Sequence, residues 1–289
     1  MYSSWYNGSG DLGWMSYWHT SGFIQNNIYG TGRAAHLIIW SDLPNATSPV
    51  CGRPYPVSEQ ILSDMQELAF YWAGSASDPP LYVTLFTEFQ TYPCVEDQWA
   101  GAEDYYTLLK QRMLQIRDIF HENAPNAKVS IGWGGWQMRW DDPANGGGSS
   151  LLPYFADVMA QMDFQSTQLM GGDTNVNDAT RMVTALGAYG PVMVAHYKPE
   201  NTSLTTFAAD VSEIMGSAFL TNLIEHGLFA WSFMDQACFD DMLDPLETTN
   251  YGAVVNAVRA FGRAPRSNRS KETAAKAIRV QARRVQPNG

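Results

Sequence analysis

One carboxylate stands where an apolar run gives way to turn chemistry. Glu88 follows LYVTLFT (81–87) and precedes Phe89-Gln90-Thr91-Tyr92-Pro93. A carboxyl group at the exit of an apolar segment, among aromatic side chains, loses part of its hydration. That raises its pKa towards the range useful for a general acid. Such an acid protonates a departing oxygen, a glycosidic one among others. The competing reading is a carboxylate neutralised by a cation such as Arg139. Other polar and aromatic groups close similar runs: Trp40-Ser41-Asp42, Trp133 to Trp136, Gln168, His196-Tyr197 and Trp231 to Asp235. His196 is either a participant in the chemistry or a neutral imidazole hydrogen-bonded in place. Trp40, Trp133, Trp136, Tyr197 and Trp231 are the candidate binding surfaces, since flat aromatic faces suit sugar rings. Trp133 and Trp136 straddle Gly134 and Gly135, where little else packs, which predicts an open face. The alternative is that these aromatics, Trp140 included, simply fill the interior.

Periodicity shows the elements that carry these residues. Apolar, β-rich runs at 34–40, 81–89, 127–136, 163–170, 191–197 and 227–235 alternate with helical patterns at 57–74, 102–123, 151–162, 177–190 and 204–227. In the first helix Ile61, Met65, Leu68 and Trp72 share a face. In the second Tyr106, Leu109, Met113, Ile116 and Phe120 do. Ser58 and Asn123 are the expected caps. Strands that are apolar throughout and separated by helices predict a parallel sheet covered on both faces. No GxGxxG or GxxxxGK[ST] follows a strand, so a doubly wound nucleotide fold loses its usual motive. In a (β/α)8 barrel all strand ends converge on one mouth, which suits the polar and aromatic clusters. With Tyr2 to Tyr6 the runs make seven strands, one short of closure.

Composition narrows the ligand. The 289 residues carry 18 Lys or Arg against 29 Asp or Glu, with 10 Trp, 14 Tyr and 13 Phe. From Arg263 to Gly289 eight basic residues face only Glu272, a net +7, which leaves −18 on the other 262 residues. An acidic body disfavours nucleic acid as the main ligand. We therefore expect a barrel over 1–262 and a basic linker and helical tail over 263–289. The tail either frays in solvent or docks on a partner. Cys51, Cys94 and Cys238 match no zinc spacing, and the five histidines include no HExxH, so no metal or cofactor is expected. Cys51 and Cys94 are expected to pair, leaving Cys238 alone. No apolar run reaches the length of a membrane span, and the N-terminal segment reads as no secretory signal.

In segment order the chain resembles the (β/α)8 glycoside hydrolases of the endo-mannanase type (family 26) and related barrels in tail proteins of phages infecting actinobacteria. LYVTLFTEFQ (81–90) is similar to their fourth strand and its acid, VSIGWGG (129–135) to the strand that follows, and FADVMAQMDFQSTQLM (155–170) to the sixth-strand approach. PVMVAHYKP (191–199) and GLFAWSFMD (227–235) are similar to the seventh and eighth. Met1 to Tyr6 then falls at the second strand, so the first is absent from this chain. The resemblance covers about residues 35–240 and implies a polysaccharide ligand, Glu88 as general acid, and an extracellular or virion-associated setting with the tail as the assembly contact. Two positions depart from it. Thr87 stands where the family has Asn or His, and His196 where it has the nucleophilic Glu. A second carboxylate would have to come from Asp235, Asp173, Asp142 or Glu200. Two functions follow: a glycan hydrolase using Glu88, Asp235 and His196, or a non-catalytic glycan-binding or structural tail barrel.

Overall fold

The computed structural model describes residues 1–40, 57–92, 99, 105–141, 147, 148, 150–171, 174–197, 211, 213, 214 and 216–233. The expectations for Cys51, Cys94, Cys238, Asp142, Asp173, Glu200, Asp235 and the tail 263–289 lie outside the described residues.

Seven strands form one sheet: β1 (Tyr2–Tyr6), β2 (Ala35–Ile39), β3 (Leu81–Leu85), β4 (Ala127–Trp133), β5 (Gln165–Leu169), β6 (Val192–Tyr197) and β7 (Leu228–Phe233). Their spatial order is their chain order, and every neighbouring pair is parallel. A doubly wound sheet reverses its order at a switch point; a barrel does not. Here nothing reverses. The sheet also curls back on itself, because side chains from distant strands touch. Tyr82 of β3 meets Phe229 of β7 at 5.4 Å between centroids, and the Ser3 and Ser232 hydroxyls of β1 and β7 are 3.0 Å apart. Among the described residues the architecture is a curled, TIM-like (β/α) half-barrel of seven parallel strands. Among the described residues β1 and β7 share no ladder, the place an eighth strand would occupy.

Alternation sorts the two faces of the sheet. Leu37, Ile39, Val83, Leu85, Val129, Ile131, Val192 and Val194 are fully buried and join the core with the helices. These are α1 (Leu12–Thr20), α2 (Glu59–Trp72), α3 (Tyr105–Asn123), the short α4 (Ala156–Met159), α5 (Asn175–Gly187) and α6 (Ser217–Glu225). Every residue placed on the inner faces of α2 and α3 by spacing is buried there. Ser58 stands at the N-cap of α2 in extended conformation, and Asn123 closes α3 by donating to the Ile119 carbonyl at 2.8 Å. Tyr6 pins β1 to α2 through a hydrogen bond to the buried Asp64, which also accepts from Ser9 Oγ at 2.6 Å and Gln60 Nε2 at 2.7 Å.

The opposite face is unusual. Barrel interiors are dominated by bulky branched side chains, yet here Ser3, His36, Thr84, Ser130, Ser166 and Ser232 meet inside. His36 Nε2 lies 3.0 Å from Thr84 Oγ1, and its Nδ1 lies 3.4 Å from Ser3 Oγ. Ser130 Oγ donates to Ser166 Oγ at 3.2 Å. Burial, with the N-terminal ammonium a smaller cause, pushes His36 down to about 3, so it is neutral at ordinary pH. Below this layer Tyr82, Phe164 and Phe229 pack together, Phe164 edge to face with each of the others and Tyr82 tilted on Phe229.

Candidate active site

Glu88 lies just past the C-terminal end of β3, in the left-handed conformation at φ 59°, ψ 28°. Phe86 two residues earlier also has a positive φ of 56°. Hydrogen bonds fix this bend. The Phe86 amide donates to the Ile39 carbonyl at 2.7 Å, and that of Glu88 to the Gly132 carbonyl at 3.1 Å. The Glu88 carbonyl then accepts from the Thr91 amide at 2.8 Å, closing the 3-10 turn Phe89–Thr91. Gly132 stands where the bend crosses β4: a Cβ there would lie 3.0 Å from Thr84 Cγ2 and 3.1 Å from Thr87 Cα, so a side chain would push its neighbours by a few tenths of an ångström. A bulky residue with positive φ costs energy and persists only where its surroundings impose it.

The Glu88 carboxylate accepts a hydrogen bond from Gln168 Nε2 at the end of β5. The other end of that amide, Gln168 Oε1, lies 3.5 Å from His196 Nδ1 on β6. Glu88, Gln168 and His196 therefore share one end of the barrel, as their positions at strand ends predict. The imidazole of His196 stacks on the Trp5 indole at 4.0 Å and 7°, and Trp5 stacks on Trp40 at 6.0 Å and 15°. Trp5 and Trp40 are partly exposed, whereas His196 is buried. Burial, with His36 a second cause, holds His196 well below the usual histidine range. Its Nε2 is buried with no hydrogen-bond partner. Leaving a buried polar atom unpaired costs about 1–3 kcal/mol.

The pairing of Glu88 with Arg139 is not what the fold provides for that guanidinium. Arg139 Nε donates to Asp178 Oδ1 at 2.9 Å, and its Nη2 reaches Asp178 Oδ2 and Thr174. This fork joins the segment after β4 to α5.

Three of the expected stacking aromatics pack against the outer side of the sheet. Trp133 is fully buried on the helix side of β4, against Phe89 at 4.5 Å and Phe155 at 5.7 Å, so it offers no open face. The glycines beside it answer close approaches instead. A Cβ on Gly134 would sit 2.2 Å from Gln90 Nε2, and one on Gly135 2.3 Å from the Gln168 carbonyl oxygen. Tyr197 is likewise fully buried, and Trp231 packs on it at 5.3 Å as part of the outer core. Trp136 is partly buried, with its six-membered ring folded over Gly134. Of the five proposed stacking residues, only Trp40 joins the group around His196. Trp5 is the residue the sequence reading missed. Its signal was there: Tyr2, Ser4 and Tyr6 take the helix side of β1, so Ser3 and Trp5 must face inwards.

Among the described residues no three His, Cys, Asp or Glu side chains converge to hold a metal ion, and no helix is long and apolar enough to cross a membrane.

No protein-family model matches the sequence, and no curated protein matches it. Solved structures similar to this chain include several carbohydrate-cleaving enzymes. The GH5-4 broad specificity endoglucanase from Clostridium acetobutylicum aligns with a TM-score of 0.48 and 9% identity, over 76% of this chain and 68% of that one. Beta-glucuronidase 2 from Bacteroides uniformis aligns with a TM-score of 0.43 and 10% identity, over 71% of this chain and 24% of that one. The beta-1,4-mannanase from the sea hare Aplysia kurodai aligns with a TM-score of 0.33 and 13% identity, over 88% of this chain and 91% of that one. The chain thus spans about a quarter of the glucuronidase. What each enzyme acts on is a property of that enzyme, and the site here is read from its own residues.

Proposed function

We propose that this chain is a carbohydrate-active barrel that hydrolyses a polysaccharide with Glu88 as the general acid. One observation carries the reading: a strained, hydrogen-bonded carboxylate at a strand end, in the same mouth as the Trp40–Trp5–His196 stack. The stack offers flat apolar area to a sugar ring, and the carboxyl group supplies a proton to the leaving oxygen. Hydrolysis needs a second carboxyl group, at about 5–5.5 Å for a retaining enzyme or 6.5–9.5 Å for an inverting one. Asp235, Asp173, Asp142 and Glu200 are the candidates. His196 is a poor substitute, since burial keeps it neutral and weakly basic. On this reading the protein works outside the cell or on a virion, with the basic segment 263–289 as its assembly contact.

A second reading, glycan binding without turnover, is favoured by His196 standing where the resembling enzymes place their nucleophile. Assay of the unmodified protein on mannans, arabinogalactans and other cell-surface glycans separates the two. If it cleaves, Glu88→Gln lowers the rate by about 10²–10⁴-fold while leaving binding intact, and the loss shrinks on substrates with good leaving groups. Cleavage unaffected by Glu88→Gln removes Glu88 from the chemistry. Binding without cleavage selects the second reading.

A further inference from the structure

The Glu88–Gln168–His196 contacts dictate more than proximity. A carboxyl oxygen that carries no proton only accepts hydrogen bonds, and it is the NH₂ end of the Gln168 amide that faces such an oxygen of Glu88, leaving the other oxygen for the acid's proton. The carbonyl end then faces His196 Nδ1 at 3.5 Å and can only accept. The proton of a neutral His196 therefore belongs on Nδ1, which leaves Nε2 as a bare lone pair. That nitrogen is buried and without a partner, on a ring clamped face to face by Trp5. A buried acceptor of this kind calls for a donor from a bound molecule or an internal water. We propose that Gln168 locks His196 in its Nδ1–H tautomer and that the Nε2 lone pair accepts a hydroxyl of a sugar bound beside Glu88. Gln168 is thus a positioning residue, and His196 a specificity-determining contact rather than a nucleophile. The hydroxyl assignment rests on the carbohydrate reading; the tautomer assignment does not.

Nitrogen-resolved NMR of the full chain tests both halves. The ligand-free spectrum must show His196 protonated at Nδ1; an Nε2–H form overturns the lock. Gln168→Leu, which neither donates nor accepts, must shift His196 towards the Nε2–H form with the circular dichroism unchanged. If that variant does not fold, the unmodified spectrum decides alone. Mannohexaose, cellohexaose and xylohexaose are then titrated, with binding read from Trp fluorescence and contact from the Nε2 resonance. The oligosaccharide that binds should move that resonance. His196→Phe, which keeps the stacking on Trp5, should weaken its binding about three- to tenfold, the worth of one neutral hydrogen bond. Binding with an unmoved resonance and undiminished affinity of the variant would give the lone pair to an internal water. That overturns the contact and leaves the carbohydrate reading standing. No binding by any of the three oligosaccharides overturns the hydroxyl assignment, while the tautomer stands or falls on the ligand-free spectrum.

Discussion

Replacing Glu88 by glycine and, separately, by alanine isolates the backbone strain at the candidate acid. Both variants lose the carboxylate and its hydrogen bond from Gln168, so the difference between them reports the backbone. At ordinary helix or strand positions glycine is the less stable of the two by about 0.5–1 kcal/mol, because it loses more freedom on folding. Position 88 has φ 59° and ψ 28°, where a Cβ costs about 1–2 kcal/mol and glycine is free of that penalty. Subtracting the entropic term leaves glycine ahead by roughly 0.5–1 kcal/mol. For a domain of this size that is about 1–4 °C in Tm, at roughly 2–4 °C per kcal/mol. Calorimetry or urea unfolding of the two variants side by side measures it. An alanine variant as stable as the glycine variant, or more so, would show that residue 88 is not held left-handed. The idea that the fold spends stability to aim this carboxylate would then fall.

Three further outcomes follow from the packing. Trp133→Ala should cost about 3–5 kcal/mol, as removal of a large core aromatic does, with any glycan affinity of the folded fraction preserved; a selective loss of binding at unchanged Tm would return Trp133 to the binding surface. Trp5→Ala should do the reverse, weakening glycan binding with a smaller loss of Tm, and unchanged affinity on every bound glycan would detach the stack from recognition. The third concerns acid stability: His36 titrates near 3 when folded and near 6.5 when unfolded, so below 6.5 the unfolded chain binds the extra proton. Its contribution is intact above about 6.5 and is lost as pH falls towards 3, at up to about 1.4 kcal/mol per pH unit. His36→Asn should flatten that part of a Tm-against-pH curve, and an unchanged slope would refute the buried neutral imidazole.

The fold was largely legible because its elements obey simple periods. Ile61, Met65, Leu68 and Trp72 repeat at helical spacing, and all four are buried on α2. The apolar strand runs mark a sheet covered by helices, and the missing nucleotide loops favoured a barrel over a doubly wound sheet. Parity failed where the sheet is irregular. The β5–β6 register shifts after Thr167, and the β6–β7 register shifts after Val192 and again after Val194. Each bulge inserts a residue and resets which side chains face inwards. A sequence reading therefore cannot decide whether His196 or Tyr197 faces the interior, nor place Trp231 on the outer side.

The site was legible in one dimension and hidden in another. That Glu88 ends a strand is written in LYVTLFTEF, but that its backbone turns left-handed is not. The bend passes close to Gly132, 44 residues later, where a Cβ would crowd Thr87. Likewise alternation puts Gln165 and Gln168 on opposite faces of β5, but nothing local shows that the inner one joins an acid to an imidazole. Gln165 and Gln168 sit on the same strand, yet Gln165 Nε2 donates to the Met159 carbonyl at 2.9 Å on the helix side, while Gln168 bridges Glu88 and His196 inside. The polar interior gives that bridge its weight. A barrel lined by Ser3, Ser130, Ser166, Ser232, Thr84 and His36 forgoes the apolar burial that larger branched side chains would bring, so its stability must come mainly from the helix side of the sheet. What such a lining offers in return is a set of hydrogen-bonding groups beneath the mouth, which a polar partner satisfies and a hydrocarbon does not.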